Sequence, residues 1–538
     1  MRQLRERSWD FSAADGNITT LASGRIAAAV SRTLRPAVKL AMTFAALLQP
    51  GCDRSAESPK PTANPKESAK DTPELAASIQ TFCGACHAVP SPDSFPRDDW
   101  YEEVRRGFNF YYASGRTDLK VPVQSDVVNW FQSRAQPTLR SCEQQLDPSP
   151  LAFEERSISS KRLTSAATSF VEVDYSKDNS APQIWCSDMF YGVVHRFDAV
   201  GSETLEVTDS LQNPAAARRV DLDADGTMDL LVAEMGSPVP EDHEFGKVYW
   251  FRNVESKQSP VVILENVGRV ADVRPADFDG DGDLDLVVAE FGWHETGGIH
   301  YLQQEKTPDG SITWKATRLD ARPGTIHVPV TDINNDGRPD FVALISQEHE
   351  VIEAFLNLEA GFKKVRLWSA PDPSYGSSGI DLVDFDQDGD LDILYTNGDT
   401  FDSRMIKPYH GVWLVSNLGE LKFEAKKIAE LPGVHRALPT DLDKDGDLDI
   451  VAAALLPLQS IRGLDPANVQ DIIWLEQKPD QSFARHLVHS GTPQHAAMSL
   501  SDLDADGQAE IIVGCFDETR KEPTPVIQIY KVQGTAKQ

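Results

Sequence analysis

The sequence predicts a multidomain chain: a small all-α module followed by an all-β, seven-bladed propeller with metal-binding loops. Three observations predict it. An acidic motif recurs six times at nearly constant spacing. Each copy runs straight into an apolar, β-branched segment. Ahead of the repeats, a separate stretch carries helical apolar spacing around Cys83-Gly84-Ala85-Cys86-His87.

The clearest copy of the repeat is Asp277 to Glu290, D-F-D-G-D-G-D-L-D-L-V-V-A-E. The copies begin at Asp221, Asp277, Asp332, Asp384, Asp441 and Asp502, in steps of 56, 55, 52, 57 and 61 residues. A fixed period of this length with strands inside it is the signature of a circular or stacked repeat architecture. Acidic or amide residues fall at offsets 0, 2, 4 and 8. They are Asp221, Asp223, Asp225 and Asp229; Asp277, Asp279, Asp281 and Asp285; Asp332, Asn334, Asp336 and Asp340. The remaining copies give Asp384, Asp386, Asp388 and Asp392; Asp441, Asp443, Asp445 and Asp449; Asp502, Asp504, Asp506 and Glu510. Offset 5 is always glycine, which tolerates the positive φ of a sharp bend.

Alternate carboxylates on a tight loop supply the oxygen ligands that Ca²⁺ requires, and up to six Ca²⁺ are expected. An EF-hand would need an acid at the twelfth position, where this chain has Val232, Val288, Ala343, Tyr395, Ala452 and Val513. The loops resemble the FG-GAP/VCBS repeats of integrin α-chain propellers and of many bacterial secreted proteins, over roughly Ser157 to the C-terminus.

A further unit, Val171 to Asp188, mimics the repeat without its ligands, so residues 155–538 make seven units of about 55 residues. Seven four-stranded blades around a central channel follow. In propellers of the family it resembles, the metal loop joins the innermost strand of a blade to the second. Segments before the innermost strand and after the second then emerge on the opposite rim. There the sequence places His327, His435 and His495, then Trp293-His294, Gln347-Glu348-His349-Glu350, Asn397-Gly398-Asp399 with Asp402, and His410. Loops at one end of a β scaffold are where sites are commonly built. His349 and Asp399 lead the candidates for a polar-ligand, second-metal or acid-base site, with His327, His435, His495 and His410 beside them. Histidines bonding neighbouring loops are the plainer reading.

The Cys83-x-x-Cys86-His87 pattern is that of c-type haem attachment: two thiols for the porphyrin vinyls and an imidazole for iron. A zinc site would need a second ligand pair, and residues 88–150 offer only Cys142 and no histidine. Helical spacing over 73–82, 98–110 and 125–135 resembles a small cytochrome-c-like domain spanning residues 73–150. Such domains offer a methionine or histidine as second axial ligand, and residues 88–150 contain neither. Asn109, Tyr111, Tyr112, Lys120, a side chain lent by the propeller, or an open iron remain as alternatives.

Residues 1–52 read as an export leader: Arg32, Arg35 and Lys39, the apolar run Leu40–Leu48, then Gly51-Cys52, which resembles a bacterial lipoprotein site. Residues 53–72, rich in Ser, Pro, Lys and Glu, read as a flexible linker. A periplasmic or cell-surface location is expected, with Cys52 as a candidate lipid anchor. The net charge of −31 argues against nucleic acid and anionic membrane surfaces as partners. Of the remaining cysteines, Cys186 and Cys515 fall in the first and last units, where a disulfide could latch the ring.

These features lead to the expectation of an exported haem-c protein that carries electrons to or from a redox partner, with a propeller that binds a substrate or partner at the histidine rim. In its strongest form it is an oxidoreductase. The alternative is a cell-surface carbohydrate- or protein-binding propeller with the haem module as an accessory. A quinone-dependent dehydrogenase ranks last, because its repeat pattern is missing. No G-x-S-x-G, phosphate loop or dinucleotide fingerprint is present.

Overall fold

A computed structural model describes residues 72–535, apart from 141–144, 176–180, 208–210, 257–258, 402, 463–464, 466–468, 492 and 520–522. The expected leader, most of the linker, Cys52, Cys142 and Asp402 lie outside the described residues.

Three α-helices come first. α1 (Pro73–Cys83) starts at Thr72, whose hydroxyl accepts the Leu75 amide at 3.2 Å, with Pro73 at the first helical position. α2 (Trp100–Ala113) and α3 (Gln124–Arg134) follow. Their apolar faces close on one core in which Trp100 stacks on Phe131 at 4.0 Å and Phe82 meets Phe108 at 5.0 Å. Aromatic residues carry most of the apolar area in a core this small.

The rest of the described chain is seven antiparallel sheets. The innermost strands are Thr168–Asp174, Pro214–Val220, Val270–Ala276, Thr325–His327 with Val330–Thr331, Ser377–Val383, Val434–Thr440 and Ala497–Ser501. These define blades 1 to 7. Second strands such as Asp229–Glu234, Asp285–Glu290 and Asp449–Ala454 are buried along their whole length, which is why their sequences run almost continuously apolar. Neighbouring blades share their cores. Val451 and Trp474 of blade 6, for example, pack with Ile511, Val513 and Tyr530 of blade 7. Each such side chain withdrawn from water contributes about 1.5–3 kcal/mol.

The ring is closed by strand exchange, which the sequence reading did not anticipate. Leu151–Ile158 pairs with Ile527–Thr535, so the outermost strand of blade 7 comes from the start of the propeller. Cys186 and Cys515 are both buried free thiols, so no disulfide latches the ring here.

Candidate functional site at the propeller rim

Each acidic loop joins an innermost strand to a second strand, as expected from the repeat. All six loops turn in one way. The offset-5 glycines, Gly226, Gly282, Gly337, Gly389, Gly446 and Gly507, have φ from +80° to +102°. The residue two before each is also left-handed: Ala224, Gly280, Asn335, Gln387, Lys444 and Ala505. The glycine N–H donates to the first aspartate each time, for example Gly337 to Asp332 at 2.7 Å and Gly507 to Asp502 at 2.8 Å. This geometry turns the carboxylates inward. In Asp221/Asp223/Asp225, Asp277/Asp279/Asp281, Asp384/Asp386/Asp388 and Asp441/Asp443/Asp445, one oxygen from each residue lies within 4.8 Å of the others.

The offset-8 acid sits deeper and bonds the backbone. Asp229 accepts Leu222 N and Asn253 N, Asp449 accepts Leu442 N and Gln477 N, and Glu510 accepts Leu503 N. Asp223 Oδ1, Asp384 Oδ1 and Asp340 Oδ2 are buried without a hydrogen-bond partner. Buried, unpartnered carboxylate oxygens in an all-oxygen loop fit a hard cation.

The sixth loop differs. Lys531 Nζ pairs with Asp504, lies 2.8 Å from Asp506 and 3.7 Å from Glu510, and so supplies the positive charge from the chain itself. Lys531→Met is expected to lower the midpoint of thermal unfolding in chelator, with the loss reversed by added Ca²⁺. Differential scanning fluorimetry with and without Ca²⁺ checks this.

The opposite rim carries the helical module. Asp372, 3% exposed and between blades 4 and 5, accepts Ser91 N at 2.6 Å and Ser94 Oγ at 2.5 Å. Lys407, 2% exposed, donates to the Ser94 carbonyl and lies 3.4 Å from the Phe95 ring centroid. Burial pushes its ammonium down to about 8, against the pull of Asp372 and Glu103. Phe110 of α2 meets His294 at 4.9 Å, Arg140 pairs with Glu430, and Asp147 bonds Arg485 through both backbones.

Beneath this seam, at the junction of blades 4 and 5, three groups named from sequence come together: Glu350, Asp399 and His410. Gly376, at φ +76°, has its carbonyl 3.0 Å from Asp399 N, and a Cβ there would lie 3.3 Å from His410 Nε2. The next residue, Ser377, donates its amide to Glu350 at 2.9 Å. Burial raises the Glu350 carboxyl to about 8, with nearby Asp399 adding to the rise. Burial raises Asp399 as well, and it accepts Phe401 N at 2.9 Å. His410 is fully buried with neither ring nitrogen hydrogen-bonded, so burial and Lys407 hold it far below its usual value. A carboxyl raised to about 8, as that of Glu350 is, can give and take a proton near neutral pH. His349 stands next in sequence, between the left-handed residues Gln347 (φ +56°) and Glu350 (φ +46°); such strain collects at functional sites.

Glu350 has a measurable signature. An acid whose pKa is raised in the fold keeps its proton where the unfolded chain has lost it. Stability is therefore fully present below about pH 4.5 and is lost as pH rises through about 8. Glu350→Gln is expected to flatten this decline and to exceed the parent at pH 8, as read from urea midpoints at pH 5 and 8.

The other candidates lie apart. His327 faces the channel with Nδ1 4.0 Å from Asp272; burial and Arg436 push it down to about 3. His435 Nδ1 bonds the Gly433 carbonyl at 2.8 Å, and its ring meets Phe401. His495 is committed to the blade 6–7 seam, bonding Asp471 at 2.9 Å and Gln528 at 2.8 Å; against the cost of burial, Asp471 holds it cationic. Asn397 is also structural, bonding the Gly411 amide, the Trp413 indole and the Tyr375 carbonyl.

In the helical module, Cys83 and Cys86 are free thiols at the end of α1, and burial pushes Cys83 up to about 11. His87 Nδ1 lies 2.7 Å from the Ala88 carbonyl; as donor there, it leaves Nε2 as the lone-pair nitrogen. Phe82, Phe108 and Tyr111 form an aromatic wall beside Cys83. Two thiols, an imidazole with a fixed tautomer and an apolar wall fit a covalent haem.

A family model described as FG-GAP-like repeat matches residues 221–288 and 297–395. The chain carries FG-GAP-like repeats in a seven-bladed propeller. No curated protein matches the sequence. Among solved structures, a catalytically inactive virginiamycin B lyase from Staphylococcus aureus with quinupristin is 11% identical. That likeness covers 70% of this chain and 99% of the lyase, at a TM-score of 0.44. The V. cholerae biofilm matrix protein Bap1 is also 11% identical, over 71% of this chain and 91% of its own, at a TM-score of 0.39. Neither likeness carries an inference about this chain.

Asp372 and Lys407 were not among the residues singled out from sequence. Lys407 two residues before Tyr409-His410, and Asp372 between two prolines, read as ordinary loop charges. Only their burial marks them.

Proposed function

We propose that the chain is an exported c-type haem protein that carries electrons, with a calcium-stabilised propeller that binds a substrate or partner at the rim opposite the carboxylate loops. The observation that carries this reading is the seating of the Cys83–His87 module on that rim, through Asp372, Lys407 and His294. Cys83 and Cys86 would hold the porphyrin through thioethers, and His87 would bind iron through Nε2. Haem c supplies reversible one-electron chemistry when bound.

The chain's own residues define the rest. Phe82, Phe108 and Tyr111 keep water from the module's core, and the Asp372–Lys407 pair fixes the module against the rim. Glu350, its carboxyl raised to about 8, can in its ionised form take up a proton beside the module, so an electron leaving a substrate at this rim can be matched by a proton accepted there. The leader-like residues 1–52 suit the compartment in which c-type haem is attached.

The test is a pyridine-haem spectrum of the protein exported with haem-maturation machinery, followed by titration with carbohydrates and other polar ligands. One covalent haem per chain, with a spectrum that shifts on ligand binding and no longer shifts in Asp399→Asn, is the expected result. A haem spectrum indifferent to every ligand that calorimetry shows to bind would favour the propeller as a separate binding module.

A further inference from the structure

We propose that Met405, a side chain of blade 5, supplies the second axial ligand to the iron of a haem held by Cys83, Cys86 and His87. This rests on the haem reading above. The helical module has no methionine or histidine of its own between residues 88 and 150. Of the alternatives there, Tyr111 is engaged, its hydroxyl lying 3.3 Å from the Leu119 amide and 3.4 Å from the Leu119 carbonyl.

Met405 crosses the seam. It is partly buried and packs against the hydrophobic core of the helical module, the same cluster against which Cys83 packs. Among the described residues it is the one propeller side chain in that cluster. Its loop is held on both sides. The Met405 amide is 3.3 Å from Ser403 Oγ, and the Arg404 carbonyl accepts Ser460 Oγ at 3.0 Å. Two residues on, Lys407 is fastened to Ser94 and Phe95. A thioether carried by a fixed loop into the core that holds the attachment cysteine is a soft, neutral donor suited to haem iron.

His349 is the competitor. Its ring makes no hydrogen bond to the described residues and senses His87 electrostatically. It stands on a loop between Glu348 and Glu350, with Glu348, Arg322 and Asp320 acting on it, a charged setting less suited to a haem than the apolar one of Met405.

A ligand contributed across the seam would make docking and iron coordination one linked equilibrium. The test uses the full-length, haem-loaded protein, with haem content fixed first by the pyridine assay. The parent is expected to be low-spin in the ferric state, with the red-edge charge-transfer band of methionine coordination and an upfield-shifted methionine methyl proton resonance. Met405→Ala is expected to lose both and to become high-spin and quick to bind cyanide, with haem content retained. Met405→His should restore a low-spin spectrum without the charge-transfer band. A Met405→Ala spectrum unchanged from the parent would overturn the inference, as would a parent that is already high-spin. Conversion to high spin by His349→Ala with Met405→Ala silent would overturn it too. Absence of covalent haem would instead remove the haem reading itself.

Discussion

Removing calcium is expected to lower the thermal midpoint of the propeller by roughly 10 °C or more. The magnitude comes from linkage: a ligand at about a hundred times its dissociation constant stabilises the folded state by about 2.7 kcal/mol per site. At least four of the described loops bring three carboxylates within 4.8 Å of one another, so four cations bound there would act in parallel. Without a cation, like charges face one another across each loop, and buried oxygens such as Asp384 Oδ1 have no partner. The loss should be distributed. Asp384→Ala should forfeit one site's share, whereas Asp504→Ala should do far less, because Lys531 already balances the sixth loop. Scanning calorimetry in calcium and in chelator measures both, and a midpoint indifferent to chelator would remove the metal from the account.

Asp372→Ala is expected to release the helical module from the rim. The substitution leaves the Ser91 amide and the Ser94 hydroxyl without their acceptor and takes from the Lys407 ammonium one of the carboxylates that attract it, Glu103 remaining. Leaving a buried donor without its acceptor costs about 1–3 kcal/mol, and two such donors together exceed what exposed contacts such as Arg140–Glu430 could recover. The blades should be untouched, because Asp372 lies in a connection between two of them. Hydrogen exchange should therefore show α1 to α3 losing protection while the second strands keep theirs. Lys407→Met should be milder, since it removes the buried charge together with its need for a partner.

The repeat was legible because its chemistry is local. Six loops with glycine at one fixed offset need only the chain's own geometry, and the fold and blade count followed from the spacing of Asp221 to Asp502. Helix boundaries were also local, set by Thr72-Pro73 and the aromatic spacing of α2. The closing strand was not, because Leu151–Ile158 pairs with Ile527–Thr535, at the far end of the chain, and carries no mark of that partner. The rim was half legible. Topology named Glu350, Asp399 and His410, but nothing in the sequence separates His410, buried and without hydrogen bonds, from His495, spent on Asp471 and Gln528. Lys407 shows the same limit. A lysine reads as solvated until tertiary contacts take it out of water.

The most direct test is a crystal structure of the matured full chain with iron located by its anomalous scattering. The account predicts one iron per chain, beside His87 and on the rim that carries Asp372, Lys407 and His294. Iron on the carboxylate-loop side, or a chain whose Cys83 and Cys86 remain free thiols after maturation, would contradict it.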